Sequence, residues 1–62
     1  MNEIGVQQFK NEVAIGDVIS ASTLHHSYCG EVLAIEDKHC VIKENDLKFH
    51  IYFNEMWIFY KS

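Results

Sequence analysis

Residues 48–54 alternate strictly: Phe49, Ile51 and Phe53 fall on one side of an extended backbone, and Lys48, His50, Tyr52 and Asn54 on the other. Side chains of a β-strand point to opposite faces in turn, so a period of two marks a strand with one dry face and one wet one. The period of an α-helix, 3.6 residues, would scatter the same apolar groups around its circumference. Phe49, Ile51 and Phe53 are therefore expected in the core. Asn45 and Asp46 supply turn chemistry before the run, and Asn54 and Glu55 a corner after it.

The rest of the chain is cut into similar short runs at roughly ten-residue spacing, the signature of a small all-β fold. Residues 16–22 place Val18 and Ile19 before the small Ser20, Ala21 and Ser22. Residues 31–36 read as a strand with Glu31, Leu33 and Ile35 on one face and Val32, Ala34 and Glu36 on the other. Its hairpin partner is 39–44, reached through the polar turn Glu36, Asp37 and Lys38. Residues 56–60 are apolar without alternation, so this fifth run is either covered on both faces or shows one to a partner. If Met56, Ile58 and Tyr60 point inward, Trp57 and Phe59 stand outside, beside Tyr52 and His50. Alternatively, the N-terminal segment folds back and Ile4, Val6 or Phe9 covers them. Ile4, Val6, Phe9 and Val13 loosely fit an amphipathic helix, against which Gly5 and the β-branched residues weigh; a turn of helix or an extra edge strand both suit the segment. With no Pro, repeat or linker, residues 1–62 read as a single domain.

A chain of 62 residues buries only about 60% of the surface its unfolded form exposes, so its core is thin. Ordering costs roughly 1.5 kcal/mol per residue, which is reason to expect a partner, either another protein or a second copy in a homodimer. An apolar fraction of 48% belongs to a folded domain rather than a disordered tail. Nine acidic residues against five Lys give a net charge of −4, which disfavours generic nucleic-acid binding and suits either solubility or a basic partner. Two cysteines, fewer than a secreted domain of this length usually carries, point to a reducing cytoplasm. Neither a secretory leader nor a run long enough to cross a bilayer is visible.

The segment Ile15-Gly16-Asp17-Val18-Ile19, the polar loop ending in Tyr28-Cys29-Gly30-Glu31-Val32, then Ile35 and the alternation from Val41 to Phe53, resemble the layout of SH3-like barrels of the Tudor and KOW kind. The resemblance covers about three quarters of the chain and implies a small five-stranded barrel with a short irregular or helical N-terminal segment. It is a likeness of fold, and folds of this kind host unrelated functions. Tudor modules enclose methylated side chains in an aromatic cage, for which only Tyr28 and Tyr52 fall near the right positions. KOW modules meet RNA with basic loops, whereas the loop at 23–28 has no Lys or Arg.

Imidazole and thiolate at His25, His26 and Cys29 are zinc-type ligands, but His39 and Cys40 are neighbours on one strand and point to opposite faces, so no metal or other cofactor is expected. Cys40 reads as a small buried hydrophobe. Cys29 beside His25 or His26 has the elements of an activated thiol, yet no oxyanion-hole motif accompanies them and no catalytic residue is assigned. The aromatic residues offer a different use. Tyr28, His50, Tyr52, Trp57 and Phe59, together with the polar loop at 23–28, are expected to form a partner-binding surface, since rings of this kind are common anchors. The function this implies is a small acidic protein-binding module, a regulator or inhibitor without catalysis. A nucleic-acid-binding barrel is the alternative, and a Cys- or metal-dependent enzyme the third reading.

Overall fold

The computed structural model describes the backbone of residues 3–62 and the side chains of residues 5–62. A helix, α1 (Glu3–Glu12), precedes five strands: β1 (Val18–Thr23), β2 (Ser27–Ile35), β3 (His39–Glu44), β4 (Leu47–Tyr52) and β5 (Met56–Lys61). A 3-10 turn, Phe53–Glu55, joins the last two. The strands pair antiparallel in the order β4-β3-β2-β1-β5. The fold is thus all-β with a short helical N-terminus. The sheet is open, in contrast to the closed barrel expected, because β4 and β5 share no ladder among the described residues. Nor is any helix among them long and apolar enough to cross a membrane.

The β3–β4 hairpin follows the alternation. Its register runs from His39 opposite Tyr52 to Glu44 opposite Leu47 without a shift. Asn45 and Asp46 form the turn with φ of 50° and 69°, the left-handed pair that matches strand twist in a two-residue hairpin. Cys40, Ile42, Ile51 and Phe53 are buried, and Phe49 is half-buried with its ring 5.1 Å from that of Tyr28. Burial pushes the Cys40 thiol up to about 11.

β2 departs from expectation at both ends. It begins at Ser27 rather than Glu31, so most of the polar loop is strand. Thr23 brings this about: its N–H donates to the His26 carbonyl at 2.7 Å, and its hydroxyl oxygen accepts from the His26 N–H at 3.1 Å. Residues 27–31 pair with β1 and residues 31–35 with β3, so the one strand serves two ladders. Gly30 sits where they meet, and a Cβ there would run into the carbonyl oxygen of Lys43. Beyond it Val32 faces Ile42 while Ala34 faces Val41, leaving Leu33 as a bulge. The bulge corrects the expected faces: Val32 and Ile35, read as lying on opposite faces, both reach the core.

A second bulge reverses β5. Thr23 faces Met56 but Ser22 faces Ile58, so Trp57 is the extra residue. Met56 and Phe59 turn inward, while Ile58 and Tyr60 are exposed. The expected inward set of Met56, Ile58 and Tyr60 is therefore corrected, and Phe59 leaves the outer surface. α1 covers it. The Phe9 ring lies 4.9 Å from Phe59, edge-on, and 5.2 Å from Phe53, bridging β5 to the turn that follows β4. Phe9 and Val13 are buried and Val6 packs against the same cluster; the side chain of Ile4 lies outside the described residues. Burial of this stripe outweighs the poor helix propensity of Gly5 and the β-branched residues.

Two lysines tie α1 down. Lys10 Nζ donates to the Asp37 carbonyl at 3.1 Å and lies 5.6 Å from the centre of the Phe53 ring. Lys61 Nζ donates to the Glu12 carbonyl at 3.2 Å, where a cation meets the negative end of the helix. It also pairs with Asp17 Oδ2 at 3.2 Å. The Ala14 N–H, and then Lys61, hold the Asp17 carboxyl below its ordinary range.

Candidate interaction surface

The tight turn at Thr23 carries Leu24, His25 and His26 out past the end of β4, and two recesses meet there. A cleft of about 150 Å³ is lined by His25, His26, Tyr28, His50, Tyr52 and Glu55. A second, of about 240 Å³, lies among Leu24, Asn54 and Trp57 and shares Thr23, His25 and Glu55 with the first. The outer edge of the aromatic set is well exposed: Trp57 at 70%, Leu24 at 66% and Tyr52 at 50%. Glu55, itself exposed, stands in the shared wall.

Four of the five expected binding residues, Tyr28, His50, Tyr52 and Trp57, thus border one continuous surface. Phe59 does not, being packed against Phe9. Tyr28 is half-buried, with its ring between His26 at 5.9 Å and Phe49 at 5.1 Å, so it stiffens the cleft wall more than it projects from it. Leu24 belongs to the loop expected at this surface, whereas Glu55 and His39 were not anticipated. His39 stacks on His50 with ring centres 5.3 Å apart and planes 23° apart, and contacts Tyr52 at 5.5 Å. The signal for His39 is in the hairpin register, since a two-residue turn at Asn45 and Asp46 sets His39 opposite Tyr52. Leu24 has no such signal: a lone apolar residue in a polar loop gives no hint of its direction.

The histidines and cysteines do not come together as a chemical centre. Cys29 lies within β2 opposite Ser20, and its N–H donates to Glu44 Oε2 at 3.2 Å. Cys40 is buried in β3. Both are free thiols. Among the described residues no three of His, Cys, Asp and Glu are placed to hold a metal ion. No polar or charged side chain is buried among them either. What the surface offers is rings, an aliphatic tip and one carboxylate, a set suited to holding a ligand by contact.

Elsewhere on the hairpin the outer face of β3 and β4 sets Lys43 directly opposite Lys48, with Asp46 3.8 Å from the former. No family model, no curated protein and no solved structure matches the chain.

Proposed function

We propose that this chain is a small acidic SH3-like module of the cytoplasm that binds a protein segment across the tip of the β1–β2 hairpin, with no chemistry of its own. The observation that carries the reading is the exposure of Leu24, Tyr52 and Trp57 around two joined recesses. Side chains of this kind, ringed by polar groups, gain most from a partner that removes them from water. Glu55 in the shared wall and a net charge of −4 favour a partner segment that brings Lys or Arg to the centre of the contact. The SH3-like assignment is supported by the strand order, with β5 returned beside β1, and by the bend of β2 between two ladders. Two free thiols suit a reducing compartment.

The test is affinity capture from an extract of the native host by wild type and by two surface variants, Leu24→Asp and Tyr52→Ala. A protein held by wild type should be lost about thirtyfold in each variant, the effect of an anchor worth ~2 kcal/mol, with the melting temperature of the module unchanged. Equal recovery by all three sinks the reading.

A second reading has one observation in its favour. Like charges directly opposite on a sheet are destabilising, so the fold gains nothing from Lys43 facing Lys48. Together with His50 and Tyr52 on the same face they make a short strip able to meet phosphates and stack a base. A salt-sensitive gel shift of single-stranded RNA or DNA supports it, and no shift at low salt ends it.

A further inference from the structure

The two edges of the sheet are β4 and β5. β4 carries Lys48 and His50 between its apolar residues, whereas β5 has no charge from Met56 to Tyr60. Charge on an edge discourages pairing with another chain, and β5 lacks that protection. Among the described residues no strand pairs with its outer edge. The Ser62 N–H donates to the Val18 carbonyl at 2.9 Å, and Tyr60 and Ile58 face Ser20 and Ser22. By antiparallel alternation along the regular part of the ladder, the backbone groups of Phe59 and Lys61 then point away from β1, the strand with which β5 pairs. A groove of about 560 Å³ runs along this edge, bounded on its far side by Gln8 and Glu12 of α1. Ile58 and Tyr60 stand exposed on the outer face, with Val18 of β1 beyond them.

We infer that β5 pairs edge to edge and antiparallel with β5 of a second copy, about a twofold axis at Phe59, to form a homodimer with one continuous sheet. A second copy fits this edge because the strand is complementary to itself. With Phe59 facing the partner's Phe59, Ile58 meets the partner's Tyr60 and Tyr60 the partner's Ile58. These are β-branched and aromatic cross-strand pairs of the favourable kind, two on the outer face. The charges agree. Glu55 precedes β5 and Lys61 ends it, so antiparallel pairing brings each Lys61 to the end of the strand where the partner's Glu55 and the partner's Trp57 stand. Lys61 has room for this contact, since half of its side chain is exposed beside Asp17. Parallel pairing would set the two lysines together. The backbone groups engaged are those of Phe59 and Lys61, which face no partner strand among the described residues of one copy.

Sedimentation equilibrium over a concentration series tests the assembly, and two variants test the register. Ile58→Glu with Tyr60→Glu sets like charges opposite one another across the twofold axis, as does Ile58→Lys with Tyr60→Lys. Both positions are exposed in one copy, and thermal melts verify that the variants fold. Wild type should sediment at twice the chain mass, each variant alone at one, and an equimolar mixture of the two at twice again. In the wild-type dimer the amides of Phe59 and Lys61 should exchange slowly with solvent. A wild type that stays monomeric at millimolar concentration overturns the inference and leaves the edge to a different strand or to water. A dimer in which these two amides exchange freely, or which survives in both like-charged variants, overturns it as well. Glu55 and Trp57 border both surfaces, but the variants leave Leu24 and Tyr52 untouched, so loss of the dimer is read separately from loss of binding at the hairpin tip.

Discussion

β4 and β5 are strands of equal length at opposite edges of one sheet, yet they divide their residues between core and solvent by different means. β4 does it by alternation alone: Ile51 is buried, His50 and Tyr52 are wet, and the hairpin keeps one register from end to end. β5 does it with a bulge at Trp57, a helix over Phe59 and an outer face that stays apolar. The contrast teaches that a period of two records a strand with one wet side and a regular neighbour. When the period is missing, at least one of those conditions fails, and the run itself does not say which.

The largest effect that bears on this contrast is expected at Phe9. If β5 depends on α1 for its dry side, Phe9→Ala removes the ring that joins Phe53 to Phe59 and costs ~3–5 kcal/mol, a large share of what a domain this small possesses. Denaturant unfolding measures it, and Phe9→Leu, with a loss of about 1 kcal/mol, keeps the series readable if the alanine variant does not fold. A cost for Phe9→Ala below that of the leucine change would mean that β5 is dry without the helix.

The β4 side is probed at Cys40, which lies opposite Ile51. Its thiol ionises at about 11 in the folded chain against an ordinary 9.0. Between those values the unfolded chain releases a proton that the folded chain keeps. Stability that is full below pH 9 should therefore fall by about 2–3 kcal/mol as pH approaches 11. Comparing wild type with Cys40→Ala over that range isolates the contribution of the thiol. Identical slopes would show that the hairpin interior is wetter than its alternation implies.

The smallest effect is expected at Trp57. At 70% exposure the indole contributes little to the fold, and Trp57→Ala should move stability by no more than about 0.5 kcal/mol. A loss of 2 kcal/mol or more on the order of a buried aromatic would return Trp57 to the core and remove it from the interaction surface.

Tyr52 and His50 were legible as outward residues because alternation and a two-residue turn fix both face and register. Phe59 was not, because it reads outward if the strand is regular and inward once one residue is inserted before it. The same holds for Leu33 and Val32, whose faces exchange at the β2 bulge. His39 was legible in principle from the register and was read only as an unsuitable metal ligand. Leu24, in contrast, owes its position to a hairpin closed by the Thr23 hydroxyl, and its neighbours Asn54 and Trp57 lie far along the chain from it.

The amino-acid sequence by itself determined the all-β class, the β3–β4 hairpin with its turn, and the burial of Cys40, Ile51 and Phe53, because each of these follows from short-range periodicity and turn chemistry. The tertiary structure alone decided that residues 3–12 are helical, that the sheet stays open between β4 and β5, and which rings of the last strand meet water. Those outcomes depend on burial shared between segments distant in the chain: α1 forms because Phe53 and Phe59 give Phe9 somewhere to go, and β5 bulges because Met56 and Phe59 must both reach the core cluster.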